Sequence, residues 1–295
     1  WYVNGAVNST WNTTVECTNS TWCYTDSYPS GFLKHYNITC SARAFDGSLY
    51  SIWKNSSKVT IQNSPPSKVT LLYPENNQTI TDRTPFFNWT QSSDNDNDPV
   101  EYRLVVDDTA TFDFPEINIT TTELNYTPTE ELDLTTFYWY VIANDTEEGP
   151  KSDTFNFTIL SSVIISMVND SIDFGQMQFG DINSTADDSP YPFILRNDGN
   201  TELNITINST DLWESQPLDT GYFQMRVNYS DETNSFNWSA SMTSWTNIVN
   251  DTLMIAYLNH SDANDSARMD VKIEVPVDEP KGAKSATITV IASES

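Results

Sequence analysis

The sequence predicts an all-β chain: two β-sandwiches in tandem, then a larger β-sandwich at the C-terminal end. Three observations predict it. Apolar and polar residues alternate with a period of two along most of the chain, helical periodicity is nearly absent, and turn-forming clusters separate the alternating runs at short intervals.

Taken in chain order, Val59 and Ile61 mark the end of one alternating run, and Phe157 and Ile159 mark the end of a second. Trp89 and Trp139 sit on apolar faces suited to anchoring a sandwich core. In the second run Phe155, Phe157 and Ile159 face inward around Asn156 and Thr158. Leu203, Ile205 and Ile207 repeat the pattern around Asn204 and Thr206. The clearest alternation sets Ala267, Met269, Val271, Ile273 and Val275 against Arg268, Asp270, Lys272 and Glu274. Asn197-Asp198-Gly199-Asn200 is a turn cluster between strands.

An internal repeat organises the first half. Residues 40–47, from Cys40 through Ala44 and Asp46 to Gly47, align with residues 139–146, from Trp139 through Ala143 and Asp145 to Thr146. Asn63-Ser64-Pro65-Pro66 reads as a stiff linker and Leu160-Ser161-Ser162 as a second boundary. The expected domains are therefore 1–65, 66–160 and 161–295.

Composition narrows function. The chain has 295 residues, with 14 Lys and Arg against 41 Asp and Glu, a formal charge of -27. Nucleic-acid binding needs clustered base and is excluded. Two histidines and three cysteines leave little for zinc-finger or haem chemistry. Aromatic residues at 13% argue for a folded chain rather than an acidic disordered tail. No apolar run reaches the ~20 residues of a membrane span; the longest, from Ile159 to Val168, is broken by serines. No secretory leader or anchor signal is visible, so the expectation is a leader removed or a piece of a longer chain.

Asparagine carries the strongest signal. Of 29 Asn, 20 open an N-x-S/T sequon with x not Pro, where the Ser and Thr content gives roughly 7 by chance. They are Asn8, Asn12, Asn19, Asn37, Asn55, Asn77, Asn88, Asn118, Asn125, Asn144, Asn156, Asn169, Asn183, Asn204, Asn208, Asn228, Asn237, Asn250, Asn259 and Asn264. The excess predicts a secreted protein bearing N-linked glycans. Asn88, Asn156, Asn204 and Asn208 alternate with core residues and are expected to face solvent.

Three resemblances add to this. Segment 66–160 resembles fibronectin type III-like domains of archaeal and bacterial surface proteins, on Thr84-Pro85-Phe86-Phe87-Asn88-Trp89, the run from Asp94 to Tyr102, and the run from Phe137 to Asp145. Segment 1–65 resembles an immunoglobulin-like domain of the same kind of protein. Trp1-Tyr2-Val3-Asn4-Gly5 looks like its third strand and turn, and Cys40 falls on its penultimate strand. That match implies about two strands missing upstream, to be supplied by the chain's own preceding residues or by a neighbouring subunit. Segment 161–295 resembles a β-sandwich module of archaeal cell-surface and S-layer-type proteins, on Ile172-Asp173-Phe174-Gly175, Leu195 to Asn200, Leu212-Trp213 and Val275 to Gly282.

No catalytic constellation emerges. There is no Gly-x-Ser-x-Gly, and His35 and His260 read as surface residues, His260 inside the Asn259 sequon. Asp94, Asp96, Asp98 and nearby Glu101 have the oxygen density calcium prefers. Pro99 stands where an EF-hand needs Gly and Val105 where it needs Glu, so a structural turn and a calcium site both stay open. Asp262-Ala263-Asn264-Asp265 is a weaker candidate. Cys17 and Cys23 can close a small disulfide loop; the immunoglobulin-like match implies that Cys40 pairs upstream. Cys17 with Cys40 is the alternative. The reading is a non-catalytic structural subunit, S-layer or filament, at the cell surface, with copies of itself as partners. The alternative is an adhesin or carbohydrate-binding accessory region, for which Trp11, Trp22, Trp213 and Trp245 are available as sugar platforms.

Overall fold

The computed structural model describes residues 2–7 and 34–295. By contact the chain divides into two compact units. One holds Trp1–Gln78, Thr84–Glu131 and Thr135–Thr158; the other holds Thr79–Arg83, Leu132–Leu134 and Ile159–Ser295. Every regular element of any length among the described residues is a strand; two single 3-10 turns, Thr185–Asp187 and Trp238–Ala240, are the exceptions.

In the first segment β1 (Tyr2–Val3), β2 (Ala6–Val7), β3 (Asn37–Thr39) and β6 (Val59–Thr60) form an antiparallel sheet in the order β2-β1-β3-β6. Between β3 and β6 the chain makes a hairpin from β4 (Ser41–Ala42) and β5 (Lys54–Asn55), extended by a Phe45–Tyr50 bridge.

The middle segment is a two-layer sandwich. Its strands are β7 (Leu71–Tyr73), β8 (Gln78–Ile80), β9 (Phe87–Trp89), β10 (Glu101–Asp107), β11 (Ile117–Thr121), β12 (Asn125–Tyr126), β13 (Thr136–Asn144) and β14 (Phe155–Ile159). One sheet runs β11-β10-β13-β14-β8, the other β12-β9-β7. β13 alternates without a break: Phe137, Trp139, Val141 and Ala143 are buried, and the residues between are not. Phe87, from the opposite sheet, meets Trp139 edge-on at 5.1 Å and Phe157 at 5.8 Å. Such pairs add to the burial of large rings.

The third segment is a second sandwich. Its strands are β15 (Ile165–Asn169), β16 (Ile182–Ser184), β17 (Phe193–Asn197), β18 (Leu203–Ser209), β19 (Phe223–Tyr229), β20 (Thr246–Asn247), β21 (Thr252–Leu258), β22 (Ser266–Glu274) and β23 (Ile288–Glu294). The large sheet runs β15-β17-β22-β19-β20 with β16 also on β22; the small one runs β21-β18-β23. Leu203, Ile205 and Ile207 of β18 close over Met225, Val227, Met269 and Val271 of the large sheet.

One expected outward residue is not outward. Asp270 in β22 is wholly buried, because the Thr185–Asp187 turn folds over that face of the sheet. Its carboxylate accepts from Arg226 Nε at 3.0 Å, Arg268 Nε at 2.6 Å and Thr185 Oγ1 at 3.2 Å. A buried carboxylate is tolerated only with such partners.

Candidate functional site

The acidic run lies in the loop between β9 and β10. Asp94 Oδ1 accepts the backbone N–H groups of Asp96 and Asp98, both at 2.9 Å, which curls the loop. Curling brings one oxygen each of Asp94, Asp96 and Asp98 within 4.8 Å of one another. Oxygens on one calcium at 2.3–2.6 Å lie at most about 5 Å apart, so the spacing suits that ion. Asp94 Oδ2 is buried without a hydrogen bond. Glu101, at the exposed start of β10, is not in the group.

The linker and the first segment close on this loop. The Ser64 N–H donates to Asp96 Oδ2 at 2.8 Å, and the Lys34 ammonium is bonded to Asp98 Oδ2. Asn63 Nδ2 donates to both oxygens of Asp145, at 3.1 and 3.0 Å, and Lys34 also reaches Asn63 Oδ1 at 3.4 Å. The hydrogen bond to Asp98 raises the Lys34 pKa against desolvation, and the charges of Asp98, Asp145 and Asp96 add to it. Burial pushes the Asp145 carboxyl up, but the Glu147 N–H, the Asn63 amide and Lys34 together hold it below its ordinary value.

A second acidic group was not foreseen. Asp107 ends β10, and pairing of Val106 with Ile117 returns Glu116 beside it, with Asp108 third. Burial raises the Glu116 pKa, and Asp108 and Asp107 reinforce that. The signal was in the sequence: two acids end one strand and one precedes the next. The weaker candidate does not gather into a cluster among the described residues. There Asp265 is buried, its Oδ1 lies 3.2 Å from Arg196 Nε, and burial raises its pKa against Arg196.

The proposed sugar platforms divide. Trp213 is core, because its ring packs in the buried apolar cluster of this sandwich, and its Nε1 donates to the Tyr222 carbonyl at 3.2 Å. Trp245 is half-buried beneath Arg226 and Lys272, at 4.6 and 5.4 Å. Trp1, Trp11, Trp22, Cys17, Cys23, Asn8, Asn12 and Asn19 lie outside the described residues. Cys40 is a half-buried free thiol. His35 occupies a turn, while His260 is half-buried and lies 3.2 Å from Arg83 rather than open to solvent.

None of the seventeen described sequon asparagines is buried. The one wholly buried Asn among the described residues, Asn197, is not a sequon. Its amide donates to Thr201 O and Leu258 O at 2.9 and 3.1 Å and its Oδ1 accepts from Gly199 N at 3.0 Å. Several sequon side chains bond through Oδ1, which leaves those bonds clear of Nδ2, the atom that carries a glycan. Asn144 accepts from Thr146 N, Asn204 from Tyr257 N and Asn208 from Asp251 N.

No family model matches the chain, and no curated protein matches it. Among solved structures it is similar to domains d3–d4 of the rat CD45 extracellular region, at 11% identity and a TM-score of 0.31, over 50% of this chain and 76% of that one. It is similar to the FN1–FN3 domains of chicken CNTN1 at 12% and 0.27, over 89% and 77%. An α-L-rhamnosidase from Dictyoglumus thermophilum matches at 10% and 0.27, over 79% of this chain and 28% of the enzyme. At such scores the all-β sandwich assignment rests on the strand pairing itself. Among the described residues no helix is long and apolar enough to cross a membrane.

Proposed function

We propose that this chain is a structural, non-catalytic subunit of an extracellular, heavily N-glycosylated surface assembly, an S-layer or a filament, built from copies of itself. The observation that carries the reading is the sorting of asparagines among the described residues: seventeen sequons at unburied positions, and the one buried Asn outside any sequon. Glycans on the strand faces leave few surfaces for contact, and a charge of -27 discourages random association. Intact mass of the protein from its native source is expected well above 33.4 kDa, with images showing a lattice or fibre. A bare polypeptide mass, or particles that are always single, would end the reading.

Calcium belongs to the same proposal. Asp94, Asp96 and Asp98 would hold it, with the buried Asp94 Oδ2 as the oxygen most in need of a cation. Bound there it would neutralise the loop and stiffen the turn on which Ser64 and Lys34 dock. Excess chelator is expected to lower the melting temperature; an unchanged melt removes calcium from the proposal.

A further inference from the structure

Residues 34–65 differ from the rest of the chain in two ways at once. Their apolar side chains are bare: Phe45, Leu49, Tyr50, Ile52, Trp53 and Val59 are each at least 55% exposed, and Ile38 is the one buried hydrophobic. Their charge is also opposite. They carry Lys34, Arg43, Lys54 and Lys58 against Asp46 alone, whereas residues 66–295 carry 10 of the 14 basic residues and 38 of the 41 acids.

The bare side chains include an ordered row on the hairpin of β4 and β5. Phe45 and Tyr50 lie 4.5 Å apart, the Arg43 guanidinium sits 3.8 Å over Tyr50, and it lies 4.7 Å from Trp53. No sequon falls between Arg43 and Trp53. Paired aromatic rings beneath an arginine are the composition of interface anchors, and an apolar patch in water costs free energy until it is covered.

We propose that this aromatic, basic face is the docking surface for a second copy of the chain, which it meets through the acidic surface of residues 66–295. Charge complementarity selects the occupant: the patch is basic, and the surface most abundant around it in an assembly of copies is acidic. A contact between unlike surfaces of identical subunits is heterologous and propagates instead of closing. The inference rests on the self-assembly reading and names its surface.

The test uses the full glycosylated chain. A one-to-one mixture of ordinary and nitrogen-15-labelled protein is treated with a carbodiimide, which joins lysine to carboxylate without a spacer. Mixed-isotope links from Lys54 or Lys58 to Asp or Glu of residues 66–295 are expected; mixed links confined to other lysines overturn the proposal. Arg43→Glu with Lys54→Glu, and separately Tyr50→Ser with Trp53→Ser, are expected to weaken self-association in sedimentation about tenfold or more, with unchanged circular dichroism. If both variants assemble like the parent, the surface is wrong and the assembly reading stands. If the parent itself forms no particles at any concentration, the assembly reading fails first. A monomeric chain that binds a glycan through these rings, lost in Trp53→Ser, also overturns self-docking.

Discussion

The two arms of the internal repeat are alike in sequence and opposite in environment. Trp139, Val141, Ala143 and Asp145 are buried; their matches Cys40, Ala42, Ala44 and Asp46 are half-buried or exposed. Both aspartates even do the same local work. Asp46 accepts from Ser48 N and Asp145 from Glu147 N, each two residues on. What differs is cover. The β13 face has β9 and β7 opposite, bringing Trp89 and Phe87; among the described residues no such sheet opposes the hairpin of β4 and β5. A strand pattern fixes which residues share a face, and a second layer decides whether that face is a core.

The largest expected effect breaks the comparison where it is sharpest. Trp139→Ala deletes a ring packed against Phe87 and Phe155 and is expected to cost about 3–5 kcal/mol. Trp53→Ala, on the bare arm, is expected to fall within about 0.5 kcal/mol for the isolated chain. Denaturant melts of the two variants give the contrast directly, and equal losses would mean that the first segment has a core of its own.

That contrast also marks what the sequence could convey. Alternation located β14, β18 and β22 and gave their inward residues, because period two follows from the pleat alone. Asp270 defeated it, since the turn that covers β22 comes from residues 185–187, eighty-odd positions upstream, and no local pattern encodes that approach. Asp94, Asp96 and Asp98 were legible as a cluster because they are neighbours in the chain. Their partners Lys34 and Ser64 were not, because tertiary folding alone brings them there.

An intermediate effect concerns how cover is made at the ends of the sandwiches. Gly149 lies against the Pro66 carbonyl and Gly199 against the Ser162 carbonyl, each so close that a Cβ would collide with backbone. Backbone cannot swing aside as a long side chain can. Gly149→Ala and Gly199→Ala are therefore each expected to cost about 1–3 kcal/mol. Gly47, with open space around its Cβ position, has no such clash, although its φ of +92° still disfavours a side chain. Melts that rank Gly47→Ala as the most damaging of the three would show that backbone conformation, not close approach, is the greater constraint.

The smallest effect compares the two aspartates by pH. Hydrogen bonds from Leu49 and Ser48 N–H lower the Asp46 pKa, and the Glu147 N–H, Asn63 and Lys34 lower that of Asp145 against its burial. A carboxyl whose folded pKa lies below its unfolded value of 3.8 stabilises the fold fully above that value, and the contribution is lost as pH falls through the folded pKa. Asp145→Asn should therefore flatten the fall in melting temperature between about pH 5 and pH 2. Asp46→Asn should flatten it less, because Asp46 bonds only within its own turn, whereas Asp145 also ties down the linker through Asn63. Equal flattening would mean that the Asn63 bond adds nothing to what the turn already supplies, and that cover makes no difference to the second aspartate.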